Sequence, residues 1–301
     1  MANLYNRQRS KQELLRHVGH MDQLAGIKLL EALDGKARGS RVLEVWTGTG
    51  LRFRVLADRA LDISACDYQG KSLSWLSPVG DAHPAYYEPP GAGWLRTFQG
   101  GFLVTCGLDQ FGAPSTDEGV ELGLHGRVST LPARAVNYRT EWVDDEYELE
   151  ISGEVRQAVL FGENLVLRRT ISTRLGSNRI RIADTVVNEG FAPYPHMILY
   201  HFNLGFPLVS AASRIHVEVE KSRAWPGPMG QPPAAHRRIP GTGFPARAGG
   251  RPGGVCAGRT AQPGPGTGVA LALPPGQSAL PGGVEDDGRR GLRGGHRAGQ
   301  L

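Results

Sequence analysis

Between residues 22 and 204 the chain is a succession of short runs in which apolar and polar positions alternate. Ile27–Leu33, Arg41–Trp46, Leu51–Leu56, Leu61–Tyr68 and Ser72–Leu76 are each bounded by Gly, Asp or Pro. A period of two sends successive side chains to opposite faces of a strand, so these runs predict half-buried β-strands. Val136–Trp142 and Tyr147–Val155 flank Val143-Asp144-Asp145-Glu146 as a hairpin. Leu165–Leu175 and Arg179–Val187 flank Gly176-Ser177-Asn178 as a clearer one. Met197–Leu204 follows the turn signal Asn188-Glu189-Gly190. The start differs: Ser10-Lys11-Gln12-Glu13 ahead of Leu14, Leu15 and Val18 is a capping box opening a short helix, expected to pack as a lid or arm. Helical periodicity beyond about three turns is absent after residue 20. The fold class so predicted is all-β, a large sandwich or barrel.

With 301 residues, 40% hydrophobic and 21% charged, the chain can build one large core or two ordinary domains. It has no apolar run of about 18 residues and no leader pattern, which argues against a membrane partner and makes a cytoplasmic location the expectation. Cys66, Cys106 and Cys256 are odd in number and far apart, unlike a disulfide framework or a metal clip. A net charge of +5 would ordinarily suggest nucleic acid. The charge is unevenly placed, however. Residues 221–301 hold 11 Lys+Arg against 3 Asp+Glu, leaving 23 basic and 26 acidic groups in the first 220. The body is slightly acidic, and no nucleic-acid partner is expected.

The same last 81 residues hold 20 of the 42 Gly and 12 of the 21 Pro, with Trp225 and Phe244 as their aromatics. Such a composition reads either as a disordered, low-complexity extension or as GC-rich DNA translated out of frame. Reverse translation permits the second reading. With one choice of synonymous codons, the final GGVEDDGRRGLRGGHRAGQL re-reads after dropping one nucleotide as VEWKMMGEGAYVVGIEPAN, a strand-like string. The expected organisation is an arm at 1–20, an incomplete β-sandwich at 21–220 and an out-of-frame, irregular or disordered tail at 221–301.

Three features carry candidate chemistry. Arg41–Gly50 (RVLEVWTGTG) looks like the Gly-rich loop of a class I methyltransferase, but Leu51-Arg52-Phe53-Arg54-Val55 after it alternates like a strand, whereas that loop must open a helix. His125 stands in Gly123-Leu124-His125-Gly126-Arg127, where glycines would let an imidazole approach a ligand, and His201 stands on an apolar strand. A histidine on such a strand is ordinarily a satisfied core residue. Two of them with Arg96 suggest a polar pocket. No HxH or HxxxH spacing with an acidic partner occurs, so neither a metal nor another cofactor is expected.

Asp58–Ile63 (DRALDI), Trp94–Gly107 (WLRTFQGGFLVTCG), Gly123–Arg127 (GLHGR) and Tyr200–Pro207 (YHFNLGFP) together resemble the aldose 1-epimerase, or galactose mutarotase-like, superfamily, and most of all a little-characterised bacterial branch of it. The resemblance implies a β-supersandwich with a sugar cleft, a small-molecule sugar as partner, and anomer interconversion by acid/base ring opening. It assigns His201 as the catalytic acid, and His125 and Arg96 to substrate binding; Trp75 or Trp94 could stack on the sugar, though core packing is the ordinary role for either. The family's base is a glutamate in Gly-x-Glu-Pro near the C-terminus. This chain has no such motif, while the shifted frame contains GIEPAN. The implied enzyme is therefore impaired; the rival is a non-catalytic sugar-binding or sensing protein on the same fold. Sequencing the locus should reveal a single-nucleotide slip between codons 215 and 224; an uninterrupted frame with stops in the shifted one would refute it.

Overall fold

The structure, a computed structural model, describes residues 1–210, residue 213 and the backbone of residues 267–272. Its principal strands are β1 (Gly26–Glu31), β2 (Arg41–Trp46), β3 (Leu51–Leu56), β4 (Asp62–Tyr68), β5 (Leu103–Leu108), β6 (Ala133–Val143), β7 (Glu146–Ala158), β8 (Asn164–Arg174), β9 (Arg179–Asn188), β10 (Met197–Phe202) and β11 (Thr267–Ala272). One sheet runs β10-β5-β4-β3-β2-β1 and the other β6-β7-β8-β9-β11, each antiparallel between neighbours. Side chains from both sheets share one core, with Leu43, Phe53, Val55 and Ile63 meeting Leu149, Ile151, Leu167 and Ile171.

Alternation shows directly in the burial. β7 is buried at every second residue along nearly its whole length, as expected of a strand with one face on the core and one in water. β2 and β3 keep their predicted limits. Ser72–Leu76 divides into Lys71–Ser72 and Trp75–Leu76, because the Ser74 hydroxyl accepts the Cys66 amide and interrupts the strand. β5 has no alternating pattern to read: all six of its residues are buried, since both its faces are covered. The turn after Trp46 joins antiparallel strands, with Gly48 and Gly50 at φ of 80° and 95°, so the parallel strand and helix of a methyltransferase loop are absent there.

The helix exists as Lys11–Leu15, and the Ser10 hydroxyl accepts the Glu13 amide at 3.2 Å. It is no lid: Leu14 joins the main core together with Ala2 and Leu4 from a small N-terminal hairpin, so this segment plugs one end of the sandwich. Of the C-terminal quarter, β11 is described and pairs with β9. The expectations for the rest of residues 221–301 lie outside the described residues.

One ion cluster crosses the core. Arg169 of β8 and Asp62 of β4 have fully buried side chains, and Asp184 of β9 is 4% exposed. All five guanidinium hydrogens find acceptors: Asp184 takes two, at 2.9 and 2.7 Å, and Asp62, the Ala60 carbonyl and Thr105 Oγ1 take the others. Thr105 in turn gives its amide and hydroxyl to Asp62, and the Tyr200 hydroxyl donates to Asp184 at 2.8 Å. Burial pulls the Arg169 pKa down, but the two carboxylates more than offset it and hold the group cationic; burial pushes the Asp62 pKa up. One cation facing two carboxylates makes Asp62 the group that can lose its charge most cheaply. Arg169→Met should therefore lower stability by about 3–5 kcal/mol, as expected for leaving buried charges without their partner. Asp62→Asn should cost far less; urea unfolding showing equal losses would contradict this.

Candidate functional site

The site lies on the face of β5 and β10 that points away from the shared core. Val104 and Cys106 of β5 and Leu199 of β10 form a second small apolar cluster there with Trp94, flanked by Phe98, Tyr87, Phe111 and Leu124. In the β5–β10 ladder Val104 opposes His201 and Cys106 opposes Leu199. The imidazole of His201 thus rises from the outermost described strand of its sheet, beside this apolar floor.

His125 reaches the same place from a loop. Its backbone takes the left-handed conformation at φ 61°, held by its amide on the Gly112 carbonyl (2.9 Å) and by its carbonyl under the Gly107 amide (3.1 Å). Its Nδ1 accepts the Gly112 amide at 3.3 Å, which leaves the proton of the neutral ring on Nε2. The glycine after it serves packing: a Cβ on Gly126 would lie 2.4 Å from the Gly107 carbonyl oxygen, so the loop can cross β5 only without a side chain there.

Four rings close a circuit. Trp94 stacks on Phe98 at 4.4 Å, Trp94 meets the edge of His125 at 4.7 Å, His125 meets His201 at 5.6 Å, and His201 meets Phe98 at 5.9 Å. Trp94 is 2% exposed and donates its indole N–H to Ser129, so it is a wall and not a stacking platform. Trp75 packs against Phe98 at 6.0 Å and is half-buried. Arg96, two residues beyond Trp94 on the same short turn, is 70% exposed and pairs with Glu88 at 3.2 Å. The two imidazoles come together, while Arg96 projects to the rim. A recess lined by Tyr87, Asp109, Gln110, Glu121 and Arg127 lies along the same loop, and neither imidazole lines it.

The motif around Asp58 holds the scaffold. Asp58 binds the Arg41 side chain and amide, and Asp62 belongs to the core ion cluster. Buried Arg59 donates to the carbonyls of Ser129, Ala82 and Thr97, tying together the loops that carry Trp94 and its partner Ser129. Burial brings its pKa down to about 10, with Asp62 and Asp81 opposing. Phe98 and Arg59 are the contributors that the sequence did not single out. Among the described residues no group of three or more His, Cys, Asp or Glu side chains is placed to hold a metal, and no helix is long and apolar enough to cross a membrane.

Both imidazoles favour the neutral form. Burial pushes His125 down to about 4, with His201 adding to the effect, and burial likewise lowers His201 against the opposing Asn203 side chain. His201 Nδ1 is buried and has no hydrogen-bond partner among the described residues. Because the folded pKa lies below the ordinary 6.5, the unfolded chain binds more protons between these values. The stabilising contribution is complete above about pH 6.5 and is lost as pH falls toward 4. Urea midpoints should decline across that window, and His125→Asn should flatten the decline; an unchanged slope would count against the buried pair.

Residues 37–227 match a family described as a domain of unknown function (DUF4432). No curated protein matches the sequence. Among solved structures, a protein of Klebsiella pneumoniae subsp. pneumoniae MGH 78578, provisionally named an aldose 1-epimerase, aligns at 28% identity and a TM-score of 0.59, over 63% of this chain and 51% of its own. A galactose 1-epimerase from Lactobacillus acidophilus NCFM aligns at 14% identity and a TM-score of 0.39, over 60% of this chain and 54% of its own. A galactose mutarotase-like protein from Clostridium acetobutylicum aligns at 9% and 0.43, over 63% and 56%. The chain thus spans about half the length of the structures it matches. The all-β fold is of the galactose mutarotase-like kind, as the sequence motifs implied. By the span of that family match, the chain belongs to the DUF4432 family.

Proposed function

We propose that the paired imidazoles of His125 and His201 form a sugar site of the aldose 1-epimerase kind. The observation that carries this reading is the closed circuit of four rings, which holds the two imidazoles 5.6 Å apart over an apolar floor. His125, with its Nδ1 engaged, offers Nε2–H as a fixed donor to a sugar hydroxyl. His201 is the acid that would protonate the ring oxygen, and Arg96 contacts the sugar only at the rim. The Klebsiella protein's provisional name is consistent with such chemistry.

Acid/base ring opening requires two groups in opposite protonation states at the working pH. Both imidazoles here favour the neutral form, and the chain lacks the Gly-x-Glu-Pro glutamate that would act as base and draw a proton onto His201. These two facts favour a second reading alongside the first, a protein that binds sugar without turning it over. We place the functional unit at residues 21–220 and its working location in the cytoplasm, and take residues 221–301 as translated out of frame.

The chain should bind a free aldose, seen as shifts of the His125 and His201 ring resonances, yet scarcely accelerate mutarotation in polarimetry. Restoring the shifted frame should bring catalysis back, and His201→Asn should then cost about 10²- to 10⁴-fold in rate. Absence of sugar binding, or full acceleration by the chain as it stands, would overturn the proposal.

A further inference from the structure

Thr105 and Tyr200 are direct partners across the β5–β10 ladder. Both side chains leave the face opposite the imidazoles, and both end in the Arg169 cluster: Thr105 on Asp62 and Arg169, Tyr200 on Asp184. Their outward neighbours are Val104, Cys106, Leu199 and His201, which make the floor and one wall of the candidate site. β10 ends the sheet order, with its described ladder on the β5 side alone. Ladder bonds fix its distance from β5, and just past its end the Asn203 carbonyl accepts the Trp75 amide and the Gly205 amide donates to Leu73; tilt along the strand itself is left to its side chains. The Tyr200 hydroxyl reaches the opposite sheet and constrains this remaining motion.

We propose that Tyr200 is a positioning residue for His201: its hydroxyl, tied to Asp184 and through it to Arg169, sets the tilt of β10 and so the height of the imidazole beside Phe98 and His125. The inference rests on reading the imidazole pair as the sugar site, yet its main measurement needs no sugar. Asp184 belongs to β9 and Arg169 to β8, so the second sheet, which supplies no ring to the site, takes part in aiming it. Phe202 supports the same strand by edge-to-face packing on Phe102 at 5.7 Å, but an apolar contact tolerates sliding, whereas a hydrogen bond to a buried carboxylate does not.

The test uses the full chain with Tyr200→Phe, and a second protein carrying 3-fluorotyrosine at position 200, which keeps ring, hydroxyl and fold while making the hydroxyl a stronger donor. Ring proton titrations of His201 and His125 are followed by NMR, with amide exchange along β10. Tyr200→Phe should speed exchange at residues 198–202 at least tenfold, move the His201 midpoint upward toward that of an ordinary imidazole, leave His125 where it was, and weaken sugar binding about tenfold. Fluorotyrosine should move His201 the opposite way. Ile198→Val, which trims the core-packed side of the same strand, should lower stability and leave the His201 midpoint fixed.

An unmoved His201 in the fluorotyrosine protein would overturn the proposal, and so would an equal shift in Ile198→Val, which would mark general softening of the strand. Failure of the unmodified chain to bind sugar would overturn the sugar-site reading instead, with the His201 titration still deciding the tether.

Discussion

The guanidinium of Arg169 lies at zero exposure in the core, and every one of its hydrogens is matched, with acceptors drawn from three strands and a turn. That matching fixes geometry. Arg169 and Asp184 stand in the β6-to-β11 sheet, and Asp62 and Thr105 in the other, so the spacing and relative slide of the sheets are set by hydrogen bonds about 3 Å long. Apolar packing alone would allow several nearly equivalent alignments of two twisted sheets. The buried charges add less to net stability than their number suggests, because desolvation consumes much of their mutual attraction. Their contribution is to make one alignment the only one in which no charge is stranded.

Specificity of alignment reaches the site through strands that serve both sides. Along β5, Thr105 faces the cluster while Val104 and Cys106 face the rings, and along β10 Tyr200 and His201 divide the same way. Arg59 does comparable work from outside the sheet by gathering carbonyls from three loops. The polar residues of Asp58–Asp62 are thus committed to architecture, and the imidazoles of the candidate site come from side chains far away in sequence.

Much of this was legible in the chain. Strands with one wet face announce themselves by alternation, which is why β2, β3 and the β8–β9 hairpin stood where expected. β5 did not, because a strand covered on both faces loses its period. Arg169 and Asp184 left a trace that went unused, each interrupting the apolar register of its strand between Leu167 and Ile171 or after Ile182. The motifs carrying His125 and His201 marked two residues that the fold does bring side by side. Spacing could not show that Arg96 would turn outward to Glu88, since the direction of a side chain on a short turn depends on packing around Trp94.

His201 sits on a border strand whose described pairing is with β5 alone. Any segment laid along its other flank would run about 4.8 Å away, the distance at which neighbouring strands share a ladder. Side chains on such a segment's outward face would stand next to the imidazole without disturbing Tyr200 beneath it. The histidine is therefore placed where a single added strand, from this chain or from another, could change its protonation and its reach.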